Sequence, residues 1–202
     1  PTDLNAHPHT DCTGNVVVIH NGIVENHAEL KQRLVAEGHT FRSETDTEVI
    51  PHLIELFLAE GDDLNSALIK TIQQIRGAHA ILAMSLSEPG TIVAARVGNA
   101  GGVVIGYGNG EMFLASDLPA ILPYARRVVF LEDGEVAAVR PGAVSYSKNG
   151  RRVEKEPQEV PYDPVSAAKG NFKHFMQKEI AEQPEAILDT IRGRAIFPEA
   201  RV

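Results

Sequence analysis

The chain is poor in the features that mark special environments. It has one cysteine, Cys12, in 202 residues. That count excludes an internal disulfide framework and fits a reducing compartment such as the cytoplasm. No apolar run approaches the roughly 18 residues that a membrane span requires. Basic residues are not in excess, since 19 Lys and Arg stand against 27 Asp and Glu and both signs are interspersed. The net charge of −8 offers no basic footprint for nucleic acid. Internal repeats and low-complexity segments are missing as well. The first residue is Pro1 and not methionine, so the lack of a leader peptide carries no weight. What is present, 43% hydrophobic and 23% charged residues, suits one globular domain. A domain of this length buries about 70% of its unfolded-chain surface.

The rest of the chain is organised around Val16-Val17-Val18-Ile19-His20-Asn21-Gly22-Ile23-Val24-Glu25-Asn26. Four β-branched residues in a row predict a strand buried on both faces. Asn21-Gly22 predicts a tight turn with positive φ, and helical spacing follows at Ile23, His27, Leu30 and Leu34, closed by Gly38. An amide side chain and a bare backbone N–H are thus fixed where a strand meets a helix. Such donors can stabilise an oxyanion; turn chemistry alone also accounts for an Asn-Gly pair.

Ser43-Glu44-Thr45-Asp46-Thr47-Glu48 opens a second helix, with Thr45 or Asp46 as N-cap and apolar residues at Val49, Ile50, Leu53, Ile54, Phe57 and Leu58. A third helix starts at Asp62 or Asp63 and carries Leu64, Leu68, Ile72 and Ile75 to Gly77. From Ala78 the period shifts to two. Seven short runs (78–85, 91–96, 103–107, 112–115, 128–131, 135–139 and 143–147) alternate with Pro89-Gly90, Asn109-Gly110, Asp133-Gly134, Pro141-Gly142 and Asn149-Gly150. These pairs predict hairpins and a mostly antiparallel sheet. Gly106-Tyr107-Gly108-Asn109-Gly110 is glycine-rich, but no helix follows it, so a hairpin is favoured over a phosphate loop. Ser116-Asp117 starts a short helical turn through Leu122, residues 156–170 form a proline-punctuated connection, and a last helix runs from about Phe172 to Arg192 with a break or kink at Pro184. Helices, then strands, then a helix give an α+β class. The polar leading loop, residues 1–15, holds His7, His9, Asp11 and Cys12, and with the later His20 these invite a zinc reading, but their spacing matches no usual structural zinc site and no metal is assigned.

Six phrases carry a resemblance: NAHPH (5–9), HNGIVEN (20–26), SETDTEVI (43–50), RGAHAI (76–81), GEMFLASD (110–117) and HFMQKEIAEQP (174–184). In that order they resemble the glutaminase domain of the glutamine–fructose-6-phosphate aminotransferase (isomerizing) family, also called glucosamine-6-phosphate synthases. These are class II, N-terminal-nucleophile glutamine amidotransferases. The resemblance implies a four-layer α-β-β-α sandwich with mostly antiparallel sheets, its N-terminal part missing here. It makes residues 1–170 a truncated amidotransferase domain and 171–202 a C-terminal helix and connector toward sugar-isomerase domains.

The implied reaction hydrolyses glutamine and passes ammonia to fructose 6-phosphate, without a cofactor, in a cytoplasmic homodimer. By this resemblance Asn21 and Gly22 form the oxyanion hole, Asp46 binds the α-ammonium of glutamine, and His7 buttresses the pocket. Asp46 can equally serve as a helix cap. The family nucleophile is an N-terminal cysteine whose α-amine is the base. Cys12 lies inside a loop without a free α-amine, so it is not that nucleophile, and the 202 residues alone are expected to be inactive. Strands lost with the leading segment would leave open sheet edges, and self-association is expected. A phosphoribosylpyrophosphate amidotransferase, or a catalytically silent glutamine-binding module, are the other readings. The amidotransferase reading expects Asn21, Gly22 and Asp46 to face one small cavity.

Overall fold

Alternation along Val16–Gly22 (β2) sets the layers. In the computed structural model, which describes residues 2–160 and 170–191, Val16, Val18 and His20 are buried toward a helical layer, while Val17, Ile19 and Asn21 point the other way. The expectation of full burial on both faces fails at Ile19, which is 45% exposed. The chain divides into two units, residues 1–161 and 162–202.

In the first unit a two-residue strand β1 (His9–Thr10) precedes β2. The helices are α1 (His27–Ala36), α2 (Val49–Ala59) and α3 (Leu64–Gln74). Nine strands follow: β3 (His79–Ser85), β4 (Ile92–Val97), β5 (Val104–Tyr107), β6 (Met112–Ala115), β7 (Arg127–Phe130), β8 (Glu135–Arg140), β9 (Ala143–Lys148), β10 (Arg151–Val153) and β11 (Gln158–Glu159). Every described pairing is antiparallel. They form a seven-stranded sheet, β1-β2-β3-β4-β8-β9-β10, and a four-stranded sheet, β11-β7-β5-β6.

Three apolar layers hold this together. Leu30, Leu34, Ile50, Ile54 and Leu68 pack on Val16, Val18, Ile81 and Val93 of the larger sheet. Each such side chain gains about 1.5–3 kcal/mol on burial. The other face of that sheet presents Ala80, Ala94 and Ala137, whose small size lets the four-stranded sheet approach with Ile105, Val129 and Leu131. Ile121, with Leu118 beside it, covers the outer side of the smaller sheet against Val104 and Val128. The result is α+β, with helix, sheet and sheet stacked.

Four expectations need correction. Asn21-Gly22 is not a turn but the end of β2, paired with Ala80 and His79, and α1 begins only at His27, leaving Ile23 exposed. Asp46 starts a 3-10 turn, Asp46–Glu48, in which no side chain caps the helix. Asp133-Gly134 joins β7 to β8, which lie in different sheets, so it is a crossover rather than a hairpin. In the second unit the helix α4 (Phe175–Ile191) runs through Pro184 without a break, since proline removes one hydrogen bond and flanking helix formers maintain the rest. The predicted connection at 156–170 falls partly outside the described residues, and its described part carries the short strand β11, which pairs with β7.

Candidate active site

Successive residues at the end of β2 face opposite sides of the larger sheet. His20 points toward the helices, where its Nδ1 lies 2.9 Å from Thr47 Oγ1 and its Nε2 3.1 Å from His79 Nδ1. Burial, reinforced by the neighbouring His79, lowers the His20 pKa to about 4; burial also lowers that of His79. Two neutral imidazoles therefore sit under the strand end. His79 Nε2 is buried without a hydrogen-bond partner among the described residues.

Asn21 points to the other side. It lines a cavity of about 270 Å³ with His7, Gly102 and Ser116, over an apolar floor that includes Ala80, Leu82 and Leu114. Gly22 follows with φ +136°, and a Cβ there would stand 2.2 Å from the Ala78 carbonyl oxygen. Only glycine lets the two backbones approach so closely.

The loop before α2 is held by a buried carboxylate. Glu48 accepts from the N–H groups of Arg42 (2.6 Å) and Ser43 (2.7 Å) and from the Ser43 hydroxyl (2.6 Å). Burial opposes this charge, but the donors from Ser43 and Arg42 outweigh it and hold Glu48 below its ordinary pKa. The loop in turn places Asp46, whose Oδ2 accepts from the Val24 N–H at 2.6 Å.

Of the residues singled out from sequence, His7 and Asn21 share one cavity and Gly22 adjoins it. Asp46 is not among the lining residues of that cavity; it is bound to the backbone two residues beyond Gly22. Sequence reasoning missed Thr47, His79 and Ser116, and weighed His20 only as a metal candidate with the leading loop, not beside Thr47 and His79. His20 was within reach, because it shares the parity of Val16 and Val18 and so belongs on the helix-facing side. A second cluster, Cys12, His39, His52 and Glu55, is built from other elements.

The profile of the glutamine amidotransferase domain family matches residues 2–123. The chain belongs to the glutamine amidotransferase domain family. Among amidotransferase relatives, the glutamine–fructose-6-phosphate aminotransferases (isomerizing) of Methanothermobacter thermautotrophicus and Aquifex aeolicus are each 50% identical, over 95% and 96% of this chain. That of Escherichia coli is 45% identical over 96%. The chain spans about a third of the length of these relatives (32%, 32% and 31%). The solved glutamine phosphoribosylpyrophosphate amidotransferase from B. subtilis is 25% identical, with a TM-score of 0.58 over 72% of this chain and 32% of that one. An allosteric regulatory enzyme of purine biosynthesis shares the fold, with a TM-score of 0.61 at 24% identity over 72% of this chain and 31% of that one.

Proposed function

We propose that this amidotransferase domain supplies the oxyanion-stabilising and glutamine-holding part of a fructose-6-phosphate aminotransferase. The observation that carries the reading is Asn21 lining a small cavity, with Gly22 next to it at the end of β2. When a thiolate attacks the carboxamide of glutamine, the carbonyl oxygen takes on negative charge. The Asn21 amide and the Gly22 N–H are the donors for it. One such donor contributes about 2.7–4 kcal/mol to the transition state. Asp46 supplies the charge for the α-ammonium, a charge-assisted contact, and its bond to Val24 fixes it near the strand end. His7 lines the same cavity.

Identity of 50% to the fructose-6-phosphate enzymes, against 25% to the phosphoribosylpyrophosphate enzyme, favours fructose 6-phosphate as ammonia acceptor. On this reading residues 1–170 are the amidotransferase module and 171–202 lead toward sugar-isomerase domains, in a cytoplasmic homodimer. Among the described residues no helix is long and apolar enough to cross a membrane.

Cys12, the one thiol in the sequence, has its amine in a peptide bond and cannot be an N-terminal nucleophile. Glutamate release is therefore expected from a polypeptide that joins these residues to an N-terminal cysteine, and not from the 202 residues alone. Steady turnover by the 202 residues alone, or none by the joined polypeptide, would contradict the proposal.

A further inference from the structure

We propose that Cys12, His39, His52 and Glu55 form a closed, tetrahedral zinc site that ties the β1–β2 loop to α2. These residues come from three places. Cys12 lies in the loop between β1 and β2, His39 follows the end of α1, and His52 and Glu55 are three apart on α2, on one face of the helix. One donor atom from each lies within 4.8 Å of all the others.

The separations match a shared ion. Zinc bonds of about 2.3 Å to sulfur and about 2.0–2.2 Å to nitrogen or oxygen, at tetrahedral angles, put ligand atoms about 3.3–3.6 Å apart. Cys12 Sγ is 3.6 Å from His39 Nδ1 and 3.5 Å from His52 Nδ1. The two Nδ1 atoms are 3.3 Å apart, and His52 Nδ1 is 3.3 Å from Glu55 Oε2. His39 Nδ1 and Glu55 Oε2 are closer, at 2.8 Å.

Protons alone satisfy this group poorly. Two imidazole nitrogens, a sulfur and a carboxylate oxygen converge, and a proton on one nitrogen cannot serve all the others. His52 is fully buried, and its Nε2 has no hydrogen-bond partner among the described residues. With the proton on Nε2, the Nδ1 lone pair faces the Cys12 thiol, a weak donor, together with His39 Nδ1 and the Glu55 carboxylate, and a cation would serve all four atoms at once. Behind the His52 ring, Glu48 Oε1 stands 3.8 Å from Nε2, beyond hydrogen-bond distance but on the side where its charge favours a proton on that nitrogen. The Thr40 N–H reaches Cys12 Sγ at 3.3 Å, a donor suited to a metal-bound thiolate. On binding, the thiol releases its proton, and one thiolate, one carboxylate and two neutral imidazoles balance a divalent charge. Four protein ligands leave no position for substrate, so the role is structural.

The inference stands independently of the glutaminase reading, because its readout is metal and not turnover. The test is to strip the full chain with a chelator, titrate it with zinc in competition with a chromophoric chelator, and record the spectrum with cobalt(II) in its place. One zinc per chain is expected, with the visible bands of tetrahedral cobalt and a thiolate-to-cobalt charge-transfer band. Cys12→Ser is expected to abolish the charge-transfer band, and His39→Ala to weaken zinc binding at least tenfold, while His27→Ala leaves both unchanged. Zinc is further expected to raise the Tm of the stripped chain. Absence of saturable one-to-one binding would overturn the proposal; so would a cobalt spectrum without thiolate character in the unmutated chain, which reads the site even if a variant fails to fold.

Discussion

Gly22 and His20 show how tightly single positions are determined at the strand end. A side chain at Gly22 would meet the Ala78 carbonyl at 2.2 Å, and φ +136° is strained for any L residue. Gly22→Ala is expected to destabilise the fold by more than about 1 kcal/mol in urea unfolding. A midpoint matching that of the unmutated chain would show that the backbone gap is illusory. His20 responds to acid. Its folded pKa of about 4 lies below the ordinary value of 6.5, so the unfolded chain takes up the proton first. Stability is full above pH 6.5 and falls as the pH drops toward 4, by about 2 kcal/mol at about pH 5. The depressed pKa of His79 acts in the same direction. His20→Gln is expected to lose less stability than the unmutated chain between about pH 7.5 and about pH 5; an equal loss would remove His20 from the account.

The loop from Arg42 to Glu48 gives the element scale its clearest dependence. Three donors converge on the Glu48 carboxylate, which is 3% exposed, and the loop they hold presents Asp46. Glu48→Gln turns a donor toward two backbone N–H groups and is expected to cost about 1.5–3 kcal/mol. Fluorine or amide NMR of the variant should show the Ser43–Asp46 segment losing its fixed environment before the sheets melt. Simultaneous loss throughout would mean that the carboxylate supports the core alone.

Elements of this kind were legible to different degrees. The strands after Ala78 were readable because apolar runs alternate with Pro-Gly and Asn-Gly pairs, and Asp63 was readable as the cap of α3, where it accepts from the Ser66 N–H at 2.7 Å. The Asn21-Gly22 turn was misread because the same pair also fits a strand that must pass close to another backbone. Asp133-Gly134 was misread because local turn chemistry carries no information about which sheet the next strand joins. Asp46 looked like a cap until the structure placed the Val24 N–H beside it. The Cys12–His39–His52–Glu55 group was invisible in sequence, since Cys12 and Glu55 are 43 residues apart and only His52 and Glu55 are near neighbours along the chain.

At the scale of the whole molecule, two sheets share one buried interface, and their outer strands have single neighbours. Among the described residues β6 pairs only with β5, and β1 only with β2. Unpaired edges template association, so light scattering across a concentration series is expected to show a mass that rises above one chain. A single-chain mass throughout would mean that these edges are protected. The central claim, however, is chemical: Asn21 acts in the transition state and Asp46 in binding. The most direct measurement is glutamate release by a polypeptide joining these residues to an N-terminal cysteine, compared with its Asn21→Ala and Asp46→Asn variants. Asn21→Ala is predicted to lower kcat by about 10²–10³ with little change in KM, and Asp46→Asn to raise KM about tenfold or more with a smaller effect on kcat. If Asn21→Ala leaves kcat within a factor of a few, the strand end is not the oxyanion hole and the account is wrong.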